Sequence, residues 1–248
     1  MSDATRAERF QRARSDSDLA VLEGFHALKH ALRFGAEIVE AAAVAPDLVS
    51  KLTSSLAPDL AERLPAAITD IVSAEELARL VPRPPATGVV AIARRRAWTA
   101  GDALGGAGPA PAVALVEPRH AGNLGAAIRA AAAAGAAGLL AVGGRDPWDP
   151  AAIRGAAGLQ YALPVARIDA LPETERALVA VDPGGEPLDA AALPPRALLA
   201  FGSERHGLGE PILGRARTRV SIPMRAGVSS LNLAVAVAVV LYAWRGQA

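Results

Sequence analysis

No cysteine occurs among the 248 residues, which removes disulfides, thiolate nucleophiles and zinc–thiolate sites together. Such a chain suits a reducing compartment. Aromatic residues make up only 4% and methionine occurs twice, so a core must be built from Ala, Leu, Val and Ile at close backbone distances. Lysine is almost missing, with Lys29 and Lys51 set against 24 arginines. Neither sign of charge prevails: 26 basic and 25 acidic residues leave a net +1, unlike the strongly basic balance of a non-specific nucleic-acid binder. Division at Ala97 gives 13 basic and 13 acidic residues before it, and 13 and 12 after, so any RNA surface must be a local patch. The candidates are Arg6, Arg9, Arg12 and Arg14; Arg94, Arg95 and Arg96; and Arg215, Arg217, Arg219 and Arg225. The longest apolar runs, near Ala130–Val142 and Leu233–Ala243, fall short of the ~20 residues of a membrane span. The N-terminal MSDATRAERFQRARSDSD lacks the apolar stretch of a signal peptide. The expected location is the cytosol, with no membrane partner.

What is present is a globular composition, 52% apolar and 21% charged, in a chain long enough for two modest domains. Residues 1–18 read as a frayed helix or a tail. Thereafter a strand leads into an amphipathic helix at Phe25, followed by a strand over Ala36–Ala45 and a helix over Pro46–Leu56. A strand over Ala67–Val72 precedes a helix that Ser73 caps with Glu76 three residues on, and Gly88–Ala93 is a further strand. This alternation predicts a small α/β domain over 1–97. Trp98–Pro111, rich in Gly, Ala and Pro, reads as a linker. From 112 to 248 strands and helices alternate again: strands at Ala112–Val116, Gly138–Val142, Val165–Ile168 and Ala177–Val181, helices at Leu124–Ala134 and Ala151–Gly158. That rhythm predicts a parallel sheet with helices on both faces.

Ala197–Tyr242 is the most informative stretch. A strand over Ala197–Phe201 opens into Gly202-Ser203-Glu204-Arg205-His206-Gly207-Leu208-Gly209. A second, Val220–Met224, ends beside Gly227-Val228-Ser229-Ser230-Leu231-Asn232 and a helical run from Leu233 to Trp244. Flexible polar loops at strand C-termini are where open α/β sheets bind ligands. Glu23, His26 and His30 share a spacing that suits a metal, but without a fourth ligand nearby a solvated helix face explains them, and no metal is expected.

GSERHGLG followed by IPMRAGVSSLN resembles motifs two and three of the SpoU-type RNA ribose 2′-O-methyltransferases of the SPOUT superfamily. Upstream, Asn123-Leu124-Gly125-Ala126-Ala127-Ile128-Arg129 resembles motif one. The resemblance implies an α/β methyltransferase domain with a C-terminal trefoil knot, preceded by an RNA substrate-binding domain. It implies S-adenosylmethionine as cofactor, structured RNA as substrate, ribosomal more than transfer RNA, and a homodimer. By motif position Asn123, Arg129, Glu204, Ser230 and Asn232 belong to the catalytic site, and Gly202, Ile222, Met224 and Leu231 to the cofactor pocket. Read as residues alone, Ile222, Met224 and Leu231 suit an ordinary core. Asn123 suits the N-cap of the following helix, and Ser229 or Ser230 that of the last. Arg129 has no such reading, since a charge inside an alanine-rich helix is costly unless paired or solvated. Two other classes stay open: a non-catalytic RNA-binding or ribosome-assembly factor, and a nucleotide-binding α/β enzyme, although no phosphate-loop or dinucleotide fingerprint is present.

Overall fold

A computed structural model describes residues 5–203 and 205–246. In chain order the first elements are α1 (Arg6–Ala13), β1 (Leu19–Glu23), α2 (Phe25–Arg33), β2 (Ile38–Ala43), α3 (Pro46–Leu56), α4 (Arg63–Ala67), β3 (Asp70–Ile71), α5 (Ala74–Leu80) and β4 (Val89–Arg94). They are followed by α6 (Ala100–Gly105), β5 (Ala112–Val116), α7 (Ala121–Ala134), β6 (Leu139–Val142), α8 (Pro150–Ala156), β7 (Val165–Ile168), β8 (Leu178–Pro187), β9 (Leu198–Phe201), α9 (Glu210–Leu213), β10 (Thr218–Ser221) and α10 (Leu233–Arg245). The chain sorts into two compact units, 1–97 with 148–162, and 98–147 with 163–248.

The first unit is a four-stranded sheet in the order β1-β4-β2-β3, antiparallel except between β2 and β3. Val21, Ala42, Val90 and Ile92 point to one face and bury Phe10, Ala13, Leu77 and Leu80 from α1 and α5. The expected tail is therefore a packed helix. Thr5 and Glu8 form a capping box at its start, and Phe10 is fully buried. Its many charges hid this, because they serve the fold. Glu40 on β2 accepts from Arg6 Nε at 2.9 Å and Arg9 Nε at 2.7 Å, and Arg6 also pairs with Asp70. Arg6 and Arg9 are thus tied to the sheet by ion pairs. The helix over Pro46–Leu56 and the Ser73–Glu76 capping box are as the sequence predicts. The strand expected over Ala67–Val72 shrinks to the two residues of β3, since α4 runs through Ala67.

Glu23 closes β1, and its side chain is 2% exposed between Arg14 Nη2 at 2.6 Å and Arg154 Nη1 at 2.5 Å. It is a structural ion-pair hub rather than a residue of a solvated helix face. His30 Nδ1 lies 2.7 Å from the Ala157 carbonyl, which can only accept, so Nδ1 carries the hydrogen of this contact. Among the described residues no metal-binding group of His, Asp or Glu forms. Glu23→Gln leaves two guanidiniums short of a counter-charge. Both are partly solvated, so a loss of about 1–3 kcal/mol is expected in chemical unfolding. Burial pulls the His30 pKa below its usual value, with Lys29, Arg33 and His26 adding repulsion and the Ala157 carbonyl opposing it. The unfolded chain thus takes up this proton more readily, and stability falls as pH drops below ~6.5. His30→Gln keeps a donor for the carbonyl and should flatten that part of a Tm-versus-pH curve.

The second unit is a six-stranded, wholly parallel sheet in the order β10-β8-β9-β5-β6-β7. Both faces are covered at its centre, so β5, β6 and β9 read as unbroken apolar runs: Val113, Ala114, Leu139, Leu140, Leu198, Leu199 and Ala200 are all fully buried. The expected linker over Trp98–Pro111 holds α6 instead, started by a Thr99–Asp102 capping box and anchored by the buried Ala103. β8 outruns its expected end at Val181. Its ladder with β10 jumps from Ala180↔Arg219 to Glu186↔Val220, so that residues 181–185 bulge out of the pairing. Gly185 must be glycine there, because a Cβ would stand 2.5 Å from the Val220 nitrogen.

α7 begins at Ala121, with His120 at the N-cap position, so Asn123 is not the cap that sequence suggests but sits inside the first turn. At the last helix the cap is Asn232, not Ser229 or Ser230; its side chain accepts from Ala234 N–H at 2.9 Å and Val235 N–H at 3.4 Å. α7 and α10 pack together, and Arg245 Nη1 donates to the Ala133 and Ala134 carbonyls at the end of α7. No helix among the described residues is long and apolar enough to cross a membrane.

Candidate active site

Three neighbouring strands end on one cleft. The β8 bulge contributes Val181, Asp182 and Pro183, the end of β9 contributes Phe201, Gly202 and Ser203, and the segment after β10 contributes Ile222 and Met224. Ser229, Ser230 and Leu231 lead into α10, whose Leu233 and Ala236 complete the wall of a cavity of about 250 Å³. The cleft therefore sits at strand C-termini, close to where the strand order reverses between β9 and β5, the usual ligand position of such sheets. Its apolar wall suits a flat ring, and Asp182, Arg205 and the serines supply polar edges.

The geometry at Gly202 is tight. A Cβ there would lie 2.0 Å from the Gly207 carbonyl carbon. The loop folds back on itself, with Gly207 N–H donating to the Ser203 carbonyl at 3.0 Å and His206 N–H to Ser203 Oγ at 3.3 Å. Only a bare backbone lets the end of β9 and the returning loop meet over the cleft. Gly202, Ile222, Met224 and Leu231 all line it, together with Ser230. The core reading of the three apolar residues is set aside, since Leu231 remains 37% exposed and Ile222 and Met224 are only half-buried.

Asn232 donates from Nδ2 to Asn123 Oδ1 at 3.1 Å, which ties the start of α7 to the cap of α10. Motif-one and motif-three residues, 109 positions apart, are thus in direct contact. Arg129 does not line the cleft. It is exposed on α7, about 9 Å further along the helix axis than Asn123. Glu204 lies outside the described residues. Sequence reasoning missed the β8 contribution; the signal was Asp182-Pro183-Gly184-Gly185 directly after an apolar strand, a loop of the same kind as those after β9 and β10.

The SpoU rRNA Methylase family model matches residues 110–242. A Synechocystis protein named as an uncharacterized tRNA/rRNA methyltransferase is 30% identical over 95% of this chain and 87% of its own length. A 23S rRNA (uridine(2479)-2′-O)-methyltransferase of Streptomyces viridochromogenes is 34% identical over 50% of this chain and 48% of its own. The crystal structure of an AdoMet-bound rRNA methyltransferase from Sinorhizobium meliloti superposes with a TM-score of 0.74 at 25% identity, over 98% of this chain and 93% of that one. With the family model spanning more than half its length and a relative of this identity aligned almost end to end, the chain belongs to the SpoU rRNA Methylase family.

Proposed function

We propose that this chain transfers a methyl group from S-adenosylmethionine to a ribose 2′-hydroxyl of structured RNA, ribosomal rather than transfer RNA, and acts as a homodimer in the cytosol. One observation carries the reading. Gly202 from the loop after β9, and Ile222, Met224 and Leu231 from the segment between β10 and α10, line a single cleft, with Ser230 beside them. A cleft that demands a bare backbone at Gly202 fits a cofactor gripped by main chain.

When bound, S-adenosylmethionine supplies a methyl carbon made electrophilic by its sulfonium. The protein's task is placement, worth roughly 7–11 kcal/mol of barrier when reactants are well oriented. Ile222, Met224 and Leu231 form an apolar wall for a purine ring. The first turn of α10 faces the cleft through Leu233 and Ala236, so the partial positive charge of its N-terminus suits a carboxylate there. Asp182 puts a negative group into the same cleft, which favours a cationic ligand. A guanidinium offers five donors and no acceptor, so the part of Arg129 is to hold an RNA phosphate and the ribose in line rather than to remove the hydroxyl proton.

The homodimer is supported by α10. While Leu233, Val237, Val240 and Leu241 are buried, Val235, Val239 and Tyr242 form an exposed apolar stripe at helical spacing. The likeness to the 23S enzyme, confined to half of each chain, supports ribosomal RNA. Calorimetry should show saturable binding of S-adenosylmethionine to the full chain. Tritium from its methyl group should enter ribosomal RNA from cells lacking the gene, and not transfer RNA. Absence of binding would remove the cofactor reading, and labelling of transfer RNA alone would reverse the substrate preference.

A further inference from the structure

At the opposite ends of β8 and β9, where these strands begin, lies a second cavity of about 330 Å³, bordered by Leu171, Thr174, Arg176, Leu198, Arg215 and Arg217. From Leu178 to Val181 and from Leu198 to Phe201 the strands advance roughly 10 Å, so this cavity and the cleft lie at opposite edges of the sheet. Arg176 is 4% exposed. Its Nε donates to the Leu104 carbonyl at 2.7 Å, and Nη1 to those of Ala110 at 3.0 Å and Arg196 at 3.2 Å. These contacts staple three chain segments and would explain a structural arginine. They leave two facts over. Nη2 is buried without an acceptor among the described residues, although a buried donor without a partner is costly. No carboxylate among the described residues pairs with this guanidinium, and burial, aided by Arg196, pulls its pKa below the usual arginine value.

The surroundings add charge of the same sign. Arg215 donates to the Leu171 and Pro172 carbonyls, each at 3.0 Å, and meets Glu173 at 3.1 Å. The Glu173 side chain is 94% exposed, so water screens most of its effect. Arg217 makes no ion pair among the described residues. Three guanidiniums thus border one cavity against a single screened carboxylate. Guanidinium matches tetrahedral oxyanions best, through forked and charge-assisted hydrogen bonds. We propose that this cavity binds a phosphate group, with the buried Arg176 guanidinium as the inner cation of its wall and Arg217 as the outer one. It is independent of methyl transfer, since it shares no residue with the cleft.

The phosphate can be free or part of an RNA backbone, and the test separates the two. Sodium phosphate is titrated into the isotope-labelled full chain at fixed ionic strength and pH, and arginine Nε–Hε signals are followed by NMR. Saturable shifts are expected for Arg176 and Arg217, and none with chloride. Because Arg176 also staples three chain segments, the variant is the exposed Arg217→Gln, which should weaken phosphate binding at least fivefold, while Glu173→Gln should tighten it or leave it unchanged. A single-stranded RNA oligonucleotide that shifts the same signals and competes with phosphate identifies a backbone phosphodiester; one that does not compete identifies free phosphate. Shifts that never saturate, or equal affinity in wild type and Arg217→Gln, overturn the proposal.

Discussion

Arg129→Ala is expected to slow methyl transfer by roughly 10²–10³-fold, the usual loss when one charge-stabilising donor is removed from a reacting centre. The dissociation constant for S-adenosylmethionine should stay within about twofold, because Arg129 does not border the cleft. Folding should be untouched, since the side chain is exposed and alanine is the better helix former. Single-turnover rates with saturating cofactor, alongside calorimetry on the same protein, separate these terms. Arg129→Lys is the informative companion. It keeps the charge but loses the planar fork, so a rescue of less than tenfold would point to bidentate phosphate contact and full rescue to charge alone. A rate for Arg129→Ala within threefold of wild type would remove Arg129 from the reaction.

Gly202→Ala is expected to act on the other half of the site. The added methyl would stand 2.0 Å from the Gly207 carbonyl carbon and inside van der Waals distance of Leu208 nitrogen, both of them main chain that cannot swing away. The returning loop must move as a body. Overpacking of this kind costs about 1–3 kcal/mol of stability. The larger effect should fall on binding, because the displaced loop carries Ser203, Arg205 and Gly207 of the cleft wall. Affinity for S-adenosylmethionine should drop at least a hundredfold, about 2.7 kcal/mol or more. Thermal unfolding with and without the cofactor checks it: wild type should gain Tm on addition and Gly202→Ala should not.

How far these sites could be read from residues alone depends on what holds each one. The central strands of the parallel sheet were legible because both faces are buried, which leaves uninterrupted apolar runs such as Ala112–Val116 and Leu139–Val142 between turn formers. The cleft was legible because two of its loops carry their own punctuation, Gly202 after β9 and Pro223 after β10. What stayed hidden depends on tertiary partners. α1 reads as a polar tail until Glu40 is placed beneath Arg6 and Arg9. α6 lies in a Gly-Ala-Pro stretch, where only Thr99 and Asp102 mark a start. The start of α7 is blurred because Ala121 and Gly122 give no cap signal, which made Asn123 look like one. The bulge at 181–185 exists only because β10 pairs on both sides of it, Arg219 with Ala180 and Val220 with Glu186, and no local pattern encodes so distant a partner strand. Arg176 could not have been singled out at all: its burial depends on carbonyls from Leu104, Ala110 and Arg196.

The atom that receives the methyl group decides the assignment. The most direct measurement is alkaline digestion of RNA labelled by the full chain with tritiated S-adenosylmethionine, followed by separation of the products by charge. A methylated 2′-oxygen cannot attack the neighbouring phosphodiester, so the label should survive in dinucleotides. Label recovered wholly in mononucleotides would mean that a base was methylated, and would contradict the assignment.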